Sequence, residues 1–406
     1  MIIQPKIRGF ICTTAHPVGC EQAIQQQINY VKSQNKINGP QHALIIGAST
    51  GYGLASRIVA TFAAGAKTLG VFFEKEADEK RTASPGWYNT AAFEKLATQE
   101  NYYAKSINGD AFSQAIKKHA ADIIREDFGK VDLIIYSLAS PRRIHPITGQ
   151  VFSSALKPIG QSFTNKTIDA FRSEVKDIRL DPASDEEITN TIAVMGGEDW
   201  QMWLDFLGQE NLLANKVMTV AYSYIGPPIT YPIYKDGTIG KAKNHLKMTA
   251  EKLDKQLRPL QGRAFIAVNK AVVTQASAAI PVVPLYISLL FKIMKAKGTH
   301  EGCIEQMYRL FKDHLYAIHP PAQDSEGYIR LDNFEMQTDI QQQITALWPQ
   351  VTPENLAQIA DLQGYCDDFY QLFGFNLPSV NYQTEVDPIV NIPSIDLQKN
   401  NKDEKI

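Results

Sequence analysis

The sequence is poor in the residues that build disulfide scaffolds and metal centres. Its four cysteines, Cys12, Cys20, Cys303 and Cys366, lie far apart and form no Cys-x-x-Cys pair. Isolated cysteines are usually free thiols in a reducing compartment, so we expect neither disulfides nor a thiolate metal site. The eight histidines form no ligand spacing such as His-Glu-x-x-His. The sequence therefore gives no support for a metal.

An excess of charge of one sign and a long apolar run are also missing. The chain has 41 basic and 43 acidic residues, so its charge does not favour nucleic acid or an anionic membrane as a partner. The longest apolar stretch, residues 276–291, contains two prolines and is shorter than the ~20 residues of a spanning helix. We interpret it as core or as the wall of a pocket. With no signal-peptide layout at the N-terminus, we expect a cytoplasmic protein without stable membrane insertion.

Apolar runs typical of strands alternate with helical patterns through most of the chain. The six predicted strands span residues 43–46, 68–73, 103–107, 131–137, 217–224 and 264–268. Helices are predicted over residues 53–64 and 112–126. This alternation is typical of a parallel sheet with helices on both faces. The sequence thus predicts an α/β fold with a Rossmann-type doubly wound parallel sheet.

Two segments exceed a minimal nucleotide-binding domain. An N-terminal extension with a predicted helix over residues 21–32 precedes the first strand. Residues 140–216 form an insert between strands 4 and 5 that carries an aromatic helix around Trp200, Trp203 and Phe206. We predict a single domain over residues 1–397. A tail over residues 398–406, rich in lysine, asparagine and aspartate, is predicted to be disordered.

A glycine motif follows the first predicted strand. The segment LIIGASTGYG places Gly47, Gly51 and Gly53 at a turn into a helix. A side chain there would block the approach of the backbone to a pyrophosphate, and the helix N-terminus offers free N–H groups and a favourable dipole. A tight strand–helix turn without a ligand could carry the same glycines, so the motif needs support from other residues.

Residues at the ends of the next strands give that support. Glu74 ends the second strand, 21 residues beyond Gly53, where a dinucleotide-binding fold places the acid that holds the adenosine ribose. A carboxylate repels a 2′-phosphate, so NADH is favoured over NADPH; alternatively, Glu74 is a solvated member of a charge cluster. Asp110 ends the third strand, where adenine is usually contacted, and Leu138-Ala139 follows the fourth. Both could also be ordinary loop structure.

Residues 217–246 combine a strand, a loop, a tyrosine and a helix that carries lysines. Tyr224 ends the strand, the loop leads to Tyr234, and a helix starts near Thr238. This is the order of short-chain dehydrogenase/reductase chemistry. There a tyrosine hydroxyl acts as acid or donor at the substrate carbonyl, and a nearby ammonium lowers its pKa and can hold the nicotinamide ribose. Tyrosines and lysines at loop edges are common, so such a pair alone does not decide the function.

Three tyrosine–lysine pairs compete in this stretch. Tyr231-x3-Lys235 has the spacing of alcohol-oxidising relatives and requires a continuous helix, against which a proline and an Asp-Gly turn argue. Tyr234-x6-Lys241 has the spacing of I-type enoyl reductases, and Tyr234-x8-Lys243 is a third pair. Lys241 and Lys243 lie about 200° apart around a helix, so only one can face a cofactor. Geometry from sequence leaves the choice open.

The chain resembles the V-type enoyl-acyl-carrier-protein reductases and the similar trans-2-enoyl-CoA reductases. Their mark is Tyr-x8-Lys, met here by Tyr234 and Lys243. The resemblance extends over nearly the whole chain, through the segments IRGFICTTAHPVGC, GASTGYG, YSLASP, GTIGKAK and KAVVTQASAAIP. It implies that Tyr234 is the proton donor, that Tyr224 binds the substrate and that Lys243 binds the ribose of NADH. The other NADH-binding residues that it implies are Gly47, Ala48, Ser49, Thr50, Gly51, Tyr52, Phe73, Glu74, Asp110, Ala111, Leu138, Ala139, Val272, Val273 and Thr274.

The implied reaction is hydride transfer from NADH to the β-carbon of a trans-2-enoyl thioester, the last step of type II fatty-acid elongation. Hydroxyl donors stabilise the enolate at the thioester oxygen, and the α-carbon is protonated. The substrate would be an enoyl-CoA or an enoyl-acyl-carrier-protein, and the family suggests a monomer. Some classifications describe the family's C-terminal segment as flavin-binding, but residues 327–377 contain no flavin motif, so we expect no flavin. A carbonyl reductase or alcohol dehydrogenase and a non-catalytic NAD-binding protein remain as alternatives.

Overall fold

The computed structural model describes residues 1–9, 11–138 and 140–395. Ala139 and the predicted tail over residues 398–406 lie outside this part of the chain. The described strands are Ile7–Arg8 (β1), Ile11–Cys12 (β2), His42–Ile46 (β3), Lys67–Phe72 (β4), Ala104–Asn108 (β5), Val131–Tyr136 (β6), Arg142–Ile144 (β7), Val151–Ser153 (β8), Phe163–Asp169 (β9), Glu174–Leu180 (β10), Leu213–Ser223 (β11), Arg263–Val268 (β12) and Tyr328–Arg330 (β13).

Helices separate most of these strands. The described α-helices are Pro17–Ser33 (α1), Gly51–Phe62 (α2), Pro85–Gln99 (α3), Gln114–Asp127 (α4), Asp185–Met195 (α5), Glu198–Gln209 (α6), Thr238–Leu257 (α7), Gln275–Ala278 (α8), Val283–Lys297 (α9), Cys303–Arg309 (α10), Thr338–Leu347 (α11), Leu356–Ile359 (α12) and Leu362–Gln371 (α13). Short 3-10 turns span Pro228–Thr230, Arg258–Leu260 and Trp348–Gln350, and a π-helical turn spans Leu310–Leu315.

A seven-stranded sheet in the order β13-β12-β11-β6-β3-β4-β5 forms the centre of the molecule. All its neighbouring strands are parallel. The six strands predicted from the sequence are all in it, so the predicted Rossmann-type fold is confirmed. The strand order reverses between β3 and β6, and ligands of such sheets bind at the carboxyl ends of the strands beside that point.

The alternation of side chains along β3 explains why both faces of the sheet are covered. Ala43 and Ile45 pack on one side, in a core shared with α1, α2 and α10. Leu44 and Ile46 pack on the other side, in a core shared with α4, α6 and α7. All four side chains are fully buried. A strand buried on both faces reads as a continuous apolar run, which is why the sequence pattern found it.

The insert after β6 contains more structure than the sequence indicated. It holds two antiparallel hairpins, β7–β8 and β9–β10, followed by α5 and α6. The predicted aromatic helix is α6, in which Trp200 and Trp203 are fully buried. The fifth predicted strand begins earlier than expected, at Leu213, and has a register irregularity between Leu213 and Met218.

Three helices of the C-terminal third, α9, α11 and α13, share one apolar core. Helix α9 lies against α11, α13 and β9, and its residues Leu285–Leu290 are completely buried. The apolar stretch over residues 276–291 is thus largely core. No helix among the described residues is long and apolar enough to cross a membrane. Likewise, within the described ranges no group of three or more His, Cys, Asp or Glu side chains could hold a metal ion.

Candidate active site

The turn between β3 and α2 uses glycine where side chains would not fit. A Cβ on Gly47 would lie 1.9 Å from the carbonyl oxygen of Ser137, and one on Gly53 would lie 1.9 Å from the carbonyl oxygen of Gly47. Gly47 also has a φ of +87°, which L side chains rarely adopt. The turn therefore packs against the end of β6. Thr50, at the start of α2, makes no side-chain capping hydrogen bond, so the first N–H groups of α2 suit phosphate oxygens.

A cleft of about 1030 Å³ lies over this turn, at the carboxyl ends of β3 to β6. The predicted cofactor residues that line it are Gly47, Ser49, Thr50, Gly51, Tyr52, Phe73, Glu74, Asp110, Ala111, Leu138, Val272, Val273 and Thr274. Ala48 is fully buried and belongs to the core beneath the cleft. Lys243 is not among the described lining residues, and Ala139 lies outside the described part of the chain. One long cleft with a phosphate-type turn in its floor suits a dinucleotide.

Glu74 is held firmly at one end of the cleft. The Ser49 hydroxyl donates to its Oε1 at 2.7 Å. The Asn108 side chain accepts from the Glu74 N–H at 2.9 Å and donates to the Glu74 carbonyl at 3.0 Å. A Cβ on Gly86 would lie 2.1 Å from Oε1, so α3 packs directly on the carboxylate. Burial raises the pKa of Glu74. This packing argues against a freely solvated charge, while the neighbouring Phe73 ring is 77% exposed.

A buried lysine that sequence reasoning missed holds the loop after β5. Lys117 is fully buried, and its ammonium donates to the carbonyls of Ala111 and Phe112, both at 3.0 Å. It also pairs with Asp199 at 2.7 Å, and the Trp203 indole donates to the Ala111 carbonyl at 3.1 Å. The insert helix α6 thus fixes the predicted adenine-contacting loop. The available signal was a lysine among the apolar positions of α4.

The segment Val272–Thr274, which also lines the cleft, is organised by a helix cap. The Thr274 hydroxyl accepts from the N–H of Ser277 at 3.0 Å, and the Thr274 N–H donates to the Ser277 hydroxyl at 2.9 Å. Ser277 also donates to the Val272 carbonyl at 2.9 Å. Tyr52 lines the cleft with the rest of the glycine turn, and its hydroxyl points away to a second contact. Its hydroxyl donates to the Lys270 carbonyl at 2.6 Å, which ties α2 to the chain after β12.

The two predicted active-site tyrosines lie side by side. The rings of Tyr224 and Tyr234 meet edge to face, with centroids 4.8 Å apart at 76°. Tyr234 is only 7% exposed, and burial raises its pKa. Its hydroxyl has no hydrogen-bond partner within the described residues, unlike that of Tyr224. Tyr234 therefore keeps its proton at neutral pH and can donate it to a ligand.

The three candidate lysines have different surroundings. Lys243 projects from α7, and its ammonium donates to the Tyr222 carbonyl at the end of β11 at 3.0 Å. Burial lowers the pKa of Lys243 to about 8. Lys241 is exposed. Lys235 lies in a turn before α7, with its ammonium 4.8 Å from the centre of the Tyr231 ring, so no continuous helix joins that pair.

A buried carboxylate behind Tyr224 was also missed. The Tyr224 hydroxyl donates to Oε1 of Glu335 at 2.9 Å, and the Tyr286 hydroxyl donates to the same oxygen at 2.7 Å. The Ala271 N–H donates to the other oxygen at 2.7 Å. Glu335 lies in the turn after β13, a short edge strand that the sequence pattern did not predict, and no motif surrounds it.

The reversed strand order, the glycine turn under a long cleft and a tyrosine beside a lysine-bearing helix define a nicotinamide-dinucleotide-dependent oxidoreductase. The chain belongs to the trans-2-enoyl-CoA reductase family. Residues 81–316 match the model of the trans-2-enoyl-CoA reductase catalytic region, and residues 2–79 match that of its NAD(P)H binding domain. Residues 323–386 match a model described as an enoyl reductase FAD binding domain. The resemblance stated from the sequence is thereby confirmed.

Similar proteins match the chain over nearly its full length. The trans-2-enoyl-CoA reductase (NADH) of Ruminiclostridium cellulolyticum is 55% identical over 97% of this chain and 100% of its own. An enoyl-acyl-carrier-protein reductase (NADH) of Coxiella burnetii is 58% identical over 99% of this chain and 100% of its own. The crystal structure of Treponema denticola trans-2-enoyl-CoA reductase in complex with NAD superposes with a TM-score of 0.93 at 47% identity, covering 97% of this chain and 100% of that one.

Proposed function

We propose that this protein uses NADH to reduce the trans-2 double bond of enoyl thioesters to the saturated acyl thioester. The observation that carries the proposal is the hydroxyl of the buried Tyr234, which has no hydrogen-bond partner in the described chain; its ring lies beside that of Tyr224. A phenol of this kind is available to a substrate carbonyl. The full-length similarity to reductases named for enoyl-CoA and enoyl-acyl-carrier-protein supports the same substrate class.

The residues divide the work by their chemistry. NADH, when bound, supplies the hydride that reduces the double bond. Tyr234 is the proposed proton donor, because burial keeps its phenol protonated. Lys243 is proposed to bind the cofactor ribose through its ammonium, which the Tyr222 carbonyl orients. Glu74 is proposed to bind the adenosine ribose and to disfavour a 2′-phosphate at close range.

The proposal extends to the partners of the enzyme. The carrier is coenzyme A or acyl carrier protein, since relatives named for each are similarly close to this chain. We propose a monomer without flavin that works in the cytoplasm and catalyses the last step of the type II fatty-acid elongation cycle. The four unpaired cysteines suit such a reducing compartment. Size-exclusion chromatography with light scattering tests the monomer.

The decisive experiment follows the loss of NADH absorbance with crotonyl-CoA. We expect one butyryl-CoA to form for each NADH consumed, and Tyr234→Phe to be much slower. Acetoacetyl-CoA serves as the parallel carbonyl substrate. Turnover of acetoacetyl-CoA without turnover of crotonyl-CoA would support a carbonyl reductase instead. Binding of NADH without turnover of any enoyl thioester would support a non-catalytic protein.

A further inference from the structure

Glu335 is a buried acidic group that the proposed chemistry does not use. It has no exposed surface, yet it receives three hydrogen bonds, from the hydroxyls of Tyr224 and Tyr286 and from the Ala271 N–H. It lies within residues 323–386, the segment whose family model is named for a flavin. Its contact with Tyr224, the predicted substrate-binding tyrosine, suggests that the segment serves the substrate side of the site rather than a flavin.

The pattern of donors around Glu335 is the pattern that a carboxylate needs. An ionised carboxylate only accepts hydrogen bonds, and here two hydroxyls and one amide point at its two oxygens. Burial raises the pKa of Glu335, whereas the buried ammonium of Lys270 and the donors favour the ionised form. Hydrogen bonds to charged groups are roughly twice as strong as neutral ones. The side chain is therefore a rigid anchor.

The anchor determines what Tyr224 can offer. A hydroxyl has one hydrogen, and in Tyr224 that hydrogen points to Glu335 at 2.9 Å. The Tyr224 ring then stands edge to face against Tyr234 at 4.8 Å. Tyr224 contributes its ring to the site, whereas the phenolic hydrogen of Tyr234 remains free for a ligand.

We propose that Glu335 is a positioning residue for the enoyl thioester, which acts by holding Tyr224 against Tyr234. This inference rests on the proposed function. It also gives the segment over residues 323–386 a direct role in the substrate side of the site. Gln341 reinforces the anchor, because its amide donates to the Tyr286 hydroxyl at 3.1 Å and to the Glu335 carbonyl at 2.7 Å.

The test is a double-mutant cycle on the full-length protein. Glu335→Met removes the acceptor at similar length, Tyr224→Phe removes the donor, and the double variant removes both. We measure KM and kcat for crotonyl-CoA, the affinity for butyryl-CoA with NAD⁺ by calorimetry, and the affinity for NADH by fluorescence. Glu335→Met should raise KM for crotonyl-CoA and lower the affinity for butyryl-CoA, each by about tenfold. This is the effect expected when a hydrogen bond to a charged group is lost. The affinity for NADH should stay within about twofold.

The cycle separates positioning from general damage. In the Tyr224→Phe background, Glu335→Met should add less than about twofold, because no hydroxyl is left to hold. Glu335→Gln should recover part of the loss, since the amide oxygen can still accept from Tyr224 while the amide NH2 faces the Ala271 N–H. Glu354→Met, at an exposed glutamate of the same segment, is the matched control and should behave as wild type.

Each other outcome has a definite meaning. The positioning role would be overturned if Glu335→Met weakened thioester binding equally in wild type and in the Tyr224→Phe variant. It would also be overturned if the affinity for NADH fell as much as the affinity for the thioester. If Glu335→Met does not fold, Glu335→Asp replaces it in the same cycle, because one methylene less withdraws the carboxylate from Tyr224. A wild type that neither reduces crotonyl-CoA nor binds butyryl-CoA would overturn the proposed function, and this inference with it.

Discussion

Lys241 and Lys243 lie two residues apart on α7, and their ammonium groups have different surroundings. Two helical positions differ by about 200° around the axis. Lys243 consequently turns inward to the Tyr222 carbonyl, while Lys241 faces solvent. Helical geometry predicted from the sequence could not choose between them, because both follow Tyr234 at spacings that reductases use, and only the resemblance to the family favoured Lys243. The two lysines differ because only Lys243 reaches the Tyr222 carbonyl at the end of β11. The position of that carbonyl depends on the whole sheet.

Removal of the Lys243 ammonium should impair cofactor use. Lys243→Met keeps most of the aliphatic stem, so we expect KM for NADH to rise and kcat to fall. Lys241→Met is the matched control on the same helix and should stay within a few-fold of wild type. Steady-state kinetics with varied NADH measures both variants. An inactive Lys241→Met beside an active Lys243→Met would show that the I-type spacing operates here.

Removal of the Tyr234 hydroxyl should be the most severe conservative change at the site. The loss of one positioned donor typically costs 10²–10³-fold in kcat, or about 3–4 kcal/mol. Tyr234→Phe removes a hydroxyl that hydrogen bonds to no described residue. Tyr224→Phe should be milder and should weigh on KM for the enoyl thioester. Tyr231→Phe, whose ring contacts Lys235, is the control. Loss of activity only at Tyr231 and Lys235 would indicate the carbonyl-reducing alternative.

Glu74 should set the preference between the two nicotinamide cofactors. Its carboxylate is fixed by Ser49 and by the packing of Gly86, so it cannot move aside for a 2′-phosphate. We expect wild type to prefer NADH strongly, and Glu74→Ala to narrow the ratio of kcat/KM between NADH and NADPH. Equal use of both cofactors by wild type would contradict the role given to Glu74.

At the scale of elements, the sequence predicted six of the seven strands of the central sheet, including the edge strand β5, and missed the other edge strand, β13. The predicted strands other than β5 are apolar runs buried in the sheet, and such runs are readable without knowledge of the fold. By contrast, β13 has three residues, and the hairpins β7–β8 and β9–β10 are largely half-exposed. The alternation of a half-buried strand shows over about four to eight residues, and β7, β8 and β13 have only three residues each. Because Glu335 follows β13, its contact with Tyr224 could not be predicted from the sequence.

The ion pair between α4 and α6 gives the insert a functional consequence. Lys117 and Asp199 are almost completely buried, and Lys117 holds the two carbonyls of the loop that lines the cleft. Such a contact between residues 82 positions apart in sequence has no local signature. The aromatic residues of α6 predicted a buried helix, but not what that helix supports.

Loosening the loop after β5 should weaken the binding of the cofactor more than the binding of the substrate. We expect Lys117→Met to raise KM for NADH by about tenfold, because the loop loses both bonds from a charged donor and keeps only the bond from the Trp203 indole to the Ala111 carbonyl. KM for crotonyl-CoA should change by less than about twofold. Lys118→Met, at the exposed neighbouring position, is the control. Since breaking a buried pair destabilises by about 3–5 kcal/mol, thermal unfolding is measured as well.

A second variant keeps this test valid if Lys117→Met does not fold. Trp203→Phe removes the indole N–H that donates to the Ala111 carbonyl, together with part of a buried ring, and keeps both partners of the ion pair. A smaller rise in KM for NADH is expected, again without a change for crotonyl-CoA. Equal losses for both ligands in both variants would mean that the pair serves stability alone.

At the scale of the whole molecule, the C-terminal segment is part of the core that surrounds the active site. Ile340, Ile344, Tyr365 and Phe369 are buried in the same core cluster as α9 and Tyr234. Further along, the Ser394 hydroxyl donates to Glu94 on α3 at 2.7 Å. The apolar side chains of the segment thus pack in the same core as Tyr234, and Glu335 adds a polar contact with Tyr224.

This packing leads us to expect that the purified protein is colourless and needs no added flavin. The segment over residues 323–386 matches a model named for FAD, but its buried side chains face the rest of the molecule, and Glu335 bonds Tyr224. We predict no flavin absorbance in the native protein and no flavin fluorescence in the supernatant after heat denaturation. Activity with NADH and crotonyl-CoA should not change when FAD or FMN is added. Release of one flavin per chain, or activity that depends on it, would contradict this and would reassign the segment to a second cofactor.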